Sequence, residues 1–153
     1  MATTNISYRF RMYPDQEQEN LIARTFGCCR YVFNYFLTYQ KERYEQGKKH
    51  LSFFDCCAYI TELKKVKDLE WLNEVPLSAL RYAVKALDNA YKNFFRRVKK
   101  GENPGFPRYK SKKDRRRSFR VEGNIKVFDN SVQLPKLGKV KCRVSRKVKG
   151  RVV

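Results

Sequence analysis

The apolar residues of this chain change period twice, which limits its architecture more than any other feature. Residues 6 to 13, ISYRFRMY, alternate Ile6, Tyr8, Phe10 and Met12 against Ser7, Arg9, Arg11 and Tyr13. That is the period of two of a half-buried strand, and Pro14 ends it. Spacings of three and four follow. Acids cluster in PDQEQEN as in a first helical turn, and Ile22, Phe26, Cys29, Phe33 and Phe36 line one stripe of a long helix stopping near Gly47. Ser52 is placed to cap a second helix through FFDCCAYITELKKV, with Asp55 three residues on completing a capping box. KDLEWLNEV reads as a connecting loop. Pro76 suits the first turn of a third helix, whose buried stripe is Leu80, Val84, Leu87, Tyr91, Phe94 and Val98. After GENPGFP the period returns to two: short Val-rich alternations punctuated by Gly123, Asn130, Pro135, Gly138 and Gly150 predict several short strands.

One early strand, three helices and several late strands predict an α+β architecture in which the first strand crosses the helical insert to join a small, incomplete β-barrel. The expected organisation is a first strand in 1–13, a helical bundle in 14–100, and a basic loop with the remaining strands in 101–153. A chain of 153 residues suits one domain or two small subdomains, and folding would bury roughly 68–70% of the unfolded surface.

Charge is distributed as unevenly as period. The total is +20, from 35 Lys and Arg against 15 Asp and Glu. Residues 1–76 hold 11 against 10, a net +1, and residues 77–153 hold 24 against 5, a net +19. With eleven Phe and ten Tyr the chain is too aromatic for wholesale disorder, so the surplus reads as a footprint for nucleic acid or an anionic membrane. On the third helix Arg81, Lys85, Lys92 and Arg96 form a ridge beside the buried stripe, interrupted by Asp88. A ridge on one helix is usually a solvated face. Here it runs on through Arg97, Lys99 and Lys100 into GFPRYKSKKDRRRSFR, which holds Arg108, Lys110, Lys112, Lys113, Arg115, Arg116, Arg117 and Arg120 against Asp114 alone. Such density is self-repelling unless phosphates neutralise it. Phe106, Tyr109 and Phe119 are set among these charges, where they can stack on bases or anchor the loop. Anchorage in the barrel is the expectation for Phe106, and Tyr109 is open to either. The Pro-containing ends predict a defined path and SKKDRRR a segment mobile until it binds.

Other chemistries lack parts. Cys28-Cys29 and Cys56-Cys57 are vicinal and diverge on a helix, His50 is the single histidine, and neither arrangement makes a metal site. No base is available for a Cys or Ser nucleophile, and the scattered acids Asp88, Glu102, Asp114, Glu122 and Asp129 offer no converging carboxylates for metal-dependent phosphoryl transfer. An odd count of five cysteines fits free thiols in a reducing compartment. No apolar run of membrane-spanning length and no signal-peptide stretch at the start is present, so the expected location is cytoplasmic, with no membrane partner.

YRFRMYPDQEQENLIARTFGCCRYVFNYFL, WLNEVPLSALRYAVKALDNAYKNFFRRVKKGENPGFPRYKSKK, SFR and VQLPKLGKVK resemble, in order, the N-terminal region of the transposon-encoded TnpB (OrfB) family. The motifs Tyr-Pro-x-x-x-Gln, Ala-Tyr-x-Asn-Phe-Phe, Gly-x-Pro-Arg-x-Lys and Leu-Pro-Lys-Leu-Gly carry the resemblance. It implies a wedge β-barrel interrupted by a helical recognition or helix-turn-helix domain, in a prokaryotic, nucleoid-associated, RNA-guided endonuclease. The implied partners are a guide RNA and a double-stranded DNA target, with base pairing carrying most specificity. Contacts to the target-adjacent motif are implied at Ser52, Phe53, Leu77, Ser78 and Arg81. The family's RuvC-like nuclease domain and zinc ribbon would lie beyond residue 153, so this chain is expected to be no enzyme by itself and to hold neither Mg nor Zn. It is expected to be a shortened form, with KGRVV a strand-like end. The alternatives are one half of a split nuclease with a separately encoded RuvC-like half, or a stand-alone DNA-binding transcriptional regulator.

Overall fold

A computed structural model describes residues 2–153. Three α-helices follow the first strand: β1 (Arg11–Tyr13), α1 (Gln16–Glu45), α2 (Phe53–Leu63) and α3 (Leu77–Lys100), then β2 (Lys126–Val127), β3 (Ser131–Leu134) and β4 (Gly138–Arg143). The fold is α+β, with the helical bundle inserted between β1 and the other strands.

The first two helices start where the sequence supplies a cap. The Asp15 carboxylate accepts from the Gln18 backbone N–H at 2.8 Å while the Gln18 amide carbonyl accepts from the Asp15 N–H at 3.0 Å. Ser52 and Asp55 repeat the reciprocal pattern at α2. Pro76 precedes α3, and Gly101, at φ 71°, closes it in the left-handed conformation that glycine adopts without strain.

The bundle core joins Val32, Phe36 and Leu37 of α1, Ile60 of α2, Leu72 and Val75 of the connection, and Leu80, Val84, Leu87 and Tyr91 of α3. Burying each large apolar side chain here contributes about 1.5–3 kcal/mol. The buried line of α1 runs through Thr25, Cys28, Val32 and Phe36, beside the expected one: Ile22, Phe26 and Cys29 are half-buried on its flank. Phe33 and Phe36 are buried as expected, and two polar residues are buried with them, each hydrogen-bonded. Thr25 Oγ1 donates to the Leu21 carbonyl at 2.7 Å. The Gln40 amide clamps the Leu51 backbone with two bonds of 3.0 Å.

The expected loop at KDLEWLNEV is instead a 3-10 segment, Lys67–Glu74, broken at Leu69. Trp71 Nε1 donates to the Asp68 carbonyl, Asn73 Nδ2 to those of Lys64 and Glu70, and Leu72 is fully buried, which explains the order. On α3 the buried stripe ends at Tyr91. Phe94 is half-buried and Val98 is 52% exposed, because the last turns of the helix have no bundle partner.

The sheet is antiparallel, four-stranded and open, in the order β1-β4-β3-β2. The first strand thus pairs with the last, Met12 opposite Cys142, across the whole helical insert. It is shorter than ISYRFRMY suggests because β4 ends at Arg143, opposite Arg11. Ile6 is consequently 62% exposed, while Tyr8 and Phe10 stack on each other at 6.0 Å. KGRVV is not a strand; its Lys149 N–H donates to the Tyr8 hydroxyl. Val140 and Cys142 alternate inward on β4 with Leu137 beside them. Gln18 of α1 donates to the carbonyls of Leu137 (3.2 Å) and Lys139 (2.8 Å), fastening bundle to sheet.

Candidate nucleic-acid interface

The basic loop after α3 has a fixed course over the bundle. Phe106 packs edge-on to Tyr91 and Phe94, at 5.7 and 5.2 Å, so it is anchored on α3 and not in the sheet. Pro107 is buried. The Tyr109 hydroxyl meets Thr38 Oγ1 at 2.9 Å, and Lys41 Nζ lies over the Tyr109 ring at 4.5 Å. Asn34 then clamps Lys110: its amide donates to the Lys110 carbonyl at 2.9 Å and accepts from the Lys110 N–H at 2.8 Å. Farther on, Phe119 packs on Phe26 at 5.2 Å, Arg120 lies over Tyr82 at 4.5 Å, and Glu122 accepts from the Tyr82 hydroxyl at 2.7 Å. Between these anchors SKKDRRR folds on itself: Ser111 N–H donates to Asp114, and the Arg117 guanidinium donates to the carbonyls of Lys112 and Asp114.

Loop, α1 and α3 together enclose a concavity of about 530 Å³. Its cationic lining is Arg30, Lys85, Lys110, Arg116, Arg117 and Arg120, against the single acid Asp114. Phe26, Phe119 and Tyr82 supply apolar wall. Six cations around one hollow, with little opposing charge, favour a polyanion.

Of the predicted nucleic-acid residues, Lys85, Lys110, Arg116, Arg117 and Arg120 come together here. Lys92, Arg96, Arg97, Lys99, Lys100, Arg108, Lys112, Lys113 and Arg115 lie outside this lining, and Tyr109 is held by Thr38. Arg97 is partly structural, donating to the Pro104 carbonyl at 3.3 Å. The Asp88 interruption takes a specific form: its Oδ2 lies 2.9 Å from Lys92 Nζ and 3.8 Å from Lys85 Nζ, an ion-pair contact without an aligned hydrogen bond. Both lysines are thereby partly neutralised within the helix.

Periodicity did not reveal Arg30, Asn34, Thr38 and Lys41. Their spacing of four, four and three marks a second, polar stripe on α1, which an apolar pattern search passes over.

At the start of α3 the implied motif-reading residues differ in availability. Ser52 is occupied with Asp55, Ser78 Oγ accepts from the Glu122 N–H at 3.3 Å, and Leu77 packs against the core. Phe53 lies beneath Lys85 Nζ at 4.9 Å, and Arg81 is exposed. Arg81 and Lys85 both lower the Cys57 thiol, which burial raises by more.

All five cysteines are free thiols. Burial pushes Cys28 up to about 11 and Cys29 and Cys56 up to about 12, so these three stay protonated and unreactive. Among the described residues no group of three or more His, Cys, Asp or Glu is placed to hold a metal, and no helix is long and apolar enough to cross a membrane.

Residues 1–49 match the family of helix-turn-helix domains of the OrfB/IS605 type. In the described part of that segment the structure has β1 and the single long helix α1; the next helix, α2, begins only at Phe53. The chain is 36% identical over 146 residues to InsQ of Escherichia coli K12, named as a candidate RNA-guided DNA endonuclease, covering 94% of this chain and 35% of that protein. It is 36% identical over 118 residues, 77% of this chain and 28% of the relative, to a protein of Streptomyces pristinaespiralis named in the same way. The chain spans about a third of the length of the curated relatives it matches. An OrfB/IS605-type segment at its start is thus continued, over most of the sequence, by similarity to two proteins named as candidate RNA-guided DNA endonucleases, in keeping with the resemblance to the N-terminal region of TnpB (OrfB) proteins.

Proposed function

We propose that this chain is the nucleic-acid-gripping lobe of a TnpB-like RNA-guided endonuclease. In this reading it holds a guide RNA and the guide-paired DNA target, while cutting belongs to a RuvC-like domain outside this sequence. The observation that carries it is the concavity lined by Arg30, Lys85, Lys110, Arg116, Arg117 and Arg120, whose loop wall is anchored at both ends on the bundle. Protein contacts to backbones supply affinity there, and base pairing supplies sequence. Arg81 is the best-placed reader of a motif beside the target, since the hydroxyls of Ser52 and Ser78 are already engaged. Its guanidinium can meet a guanine edge with two hydrogen bonds.

Titration with a structured RNA at two salt concentrations tests the reading. If six or more phosphates are held, affinity falls about 10³-fold or more between about 50 and 200 mM salt. Affinity that does not change with salt contradicts it.

A further inference from the structure

A second hollow, of about 730 Å³, adjoins the basic one and shares Arg30 with it. Its floor is an aromatic ladder on α1. Tyr31 and Tyr35 have centroids 6.1 Å apart with planes 27° from parallel, and Tyr35 and Tyr39 are 6.2 Å apart at 18°. Trp71 closes one end, edge-on to Tyr31 at 5.0 Å, and Tyr59 meets Tyr39 at 5.5 Å. The bundle core is already filled by Val32, Phe36 and Leu37, so this line of rings lies outside it.

Charge and spacing limit what the groove takes. Its lining holds two bases and two acids: Arg24 pairs with Glu74 at 2.9 Å, and Arg30 and Glu42 are set well apart along α1. Its lining therefore carries no net charge, and its one unpaired base among the described residues, Arg30, lies on the side shared with the basic hollow. An i, i+4 spacing on a helix repeats every ~6 Å, against ~3.4 Å between stacked bases. Interposing one base takes ~6.8 Å, twice that rise, so the rings, centred 6.1 and 6.2 Å apart, need part only slightly to admit one. Asn34 and Thr38, which line this groove, are the residues that hold Lys110 and Tyr109 of the basic loop.

We infer that the Tyr31–Tyr35–Tyr39 ladder with Trp71 is a stacking site for unpaired bases of a single-stranded polynucleotide whose phosphates lie along Lys41, Lys110 and the loop. The inference rests on the nucleic-acid reading above and adds a strand type and a location to it. A duplex does not fit, because its base faces are already stacked within the helix.

Trp71 is the chain's one tryptophan, so its fluorescence reports on this groove. Single strands of about 12 nucleotides, one of uridine and one of thymidine, are titrated beside a duplex of equal length. The expected result is saturable quenching of Trp71 by a single strand and none by the duplex; quenching by uridine alone assigns RNA, and by both any single strand. Tyr35→Leu and Tyr39→Leu each weaken single-strand binding about tenfold with an unchanged salt slope, whereas Tyr35→Phe retains it. Duplex binding by the same variants checks that they are folded. If single strands bind with salt dependence but leave Trp71 and both leucine variants unaffected, the stacking site is wrong and the nucleic-acid reading stands. If neither single strand nor duplex binds, both fall.

Discussion

At the scale of single residues, Asp88 sets how much of the α3 ridge is available. With Lys92 at 2.9 Å and Lys85 at 3.8 Å, it holds two of the expected phosphate binders on one half-buried carboxylate. Asp88→Asn should release them. The slope of log Kobs against log salt is expected to steepen by about 1 for each lysine that reaches a phosphate, and an unchanged slope would show that neither does. His50 gives a pH signature. It lies edge-on to Tyr91 (4.7 Å) and Phe95 (6.1 Å), beside the Gln40 amide, and burial lowers its pKa, with Asp88 acting in the opposite sense and Arg43 in the same one. A folded-state pKa below the unfolded value of 6.5 means that the unfolded chain binds the proton more readily. This contribution is complete above that value and is lost as pH falls below it. Urea melts from about pH 7.5 to about pH 5 should show declining stability, and His50→Gln should flatten that part of the profile.

At the scale of elements, side-chain amides on α1 take the part that strand partners take elsewhere. Gln40 holds the Leu51 backbone and Asn34 that of Lys110, each with two hydrogen bonds. Asn34→Ala should release the loop at a cost of about 1–3 kcal/mol to its docking. Tryptic cleavage between Arg108 and Arg117 should accelerate while the melting temperature barely moves, since the core lies elsewhere. Equal rates in variant and parent would show that Tyr109 and Phe119 hold the loop alone. The three helices and the Ser52 cap were legible because Ser52 with Asp55, and Pro76 at the start of α3, act through neighbours in sequence; the Asp15 cap with Gln18 was passed over. The extent of β1 was not legible, because it depends on where β4 ends at the far end of the chain, at Arg143 opposite Arg11. The 3-10 segment was hidden for the same kind of reason: Asn73 reaches back to the Lys64 carbonyl.

For the whole molecule, the charge imbalance of the sequence is redistributed by the fold. The second half carries +19 of the +20, yet the concavity takes Arg30, and its loop the anchors Asn34, Thr38 and Lys41, from the near-neutral first half. Basic residues could be listed from the chain alone. Which of them face one hollow could not, because that depends on a loop crossing α1 and returning to α3. The central claim is that this hollow, and not diffuse positive charge, binds nucleic acid. The direct measurement is the salt dependence of structured-RNA affinity for the triple variant Lys110→Gln/Arg116→Gln/Arg120→Gln beside Lys147→Gln/Lys149→Gln/Arg151→Gln, which removes the same charge from the other end of the basic half. The first set should lower the slope of log Kobs against log salt by about 2–3 and the second leave it nearly unchanged. Equal losses from the two sets would contradict that claim.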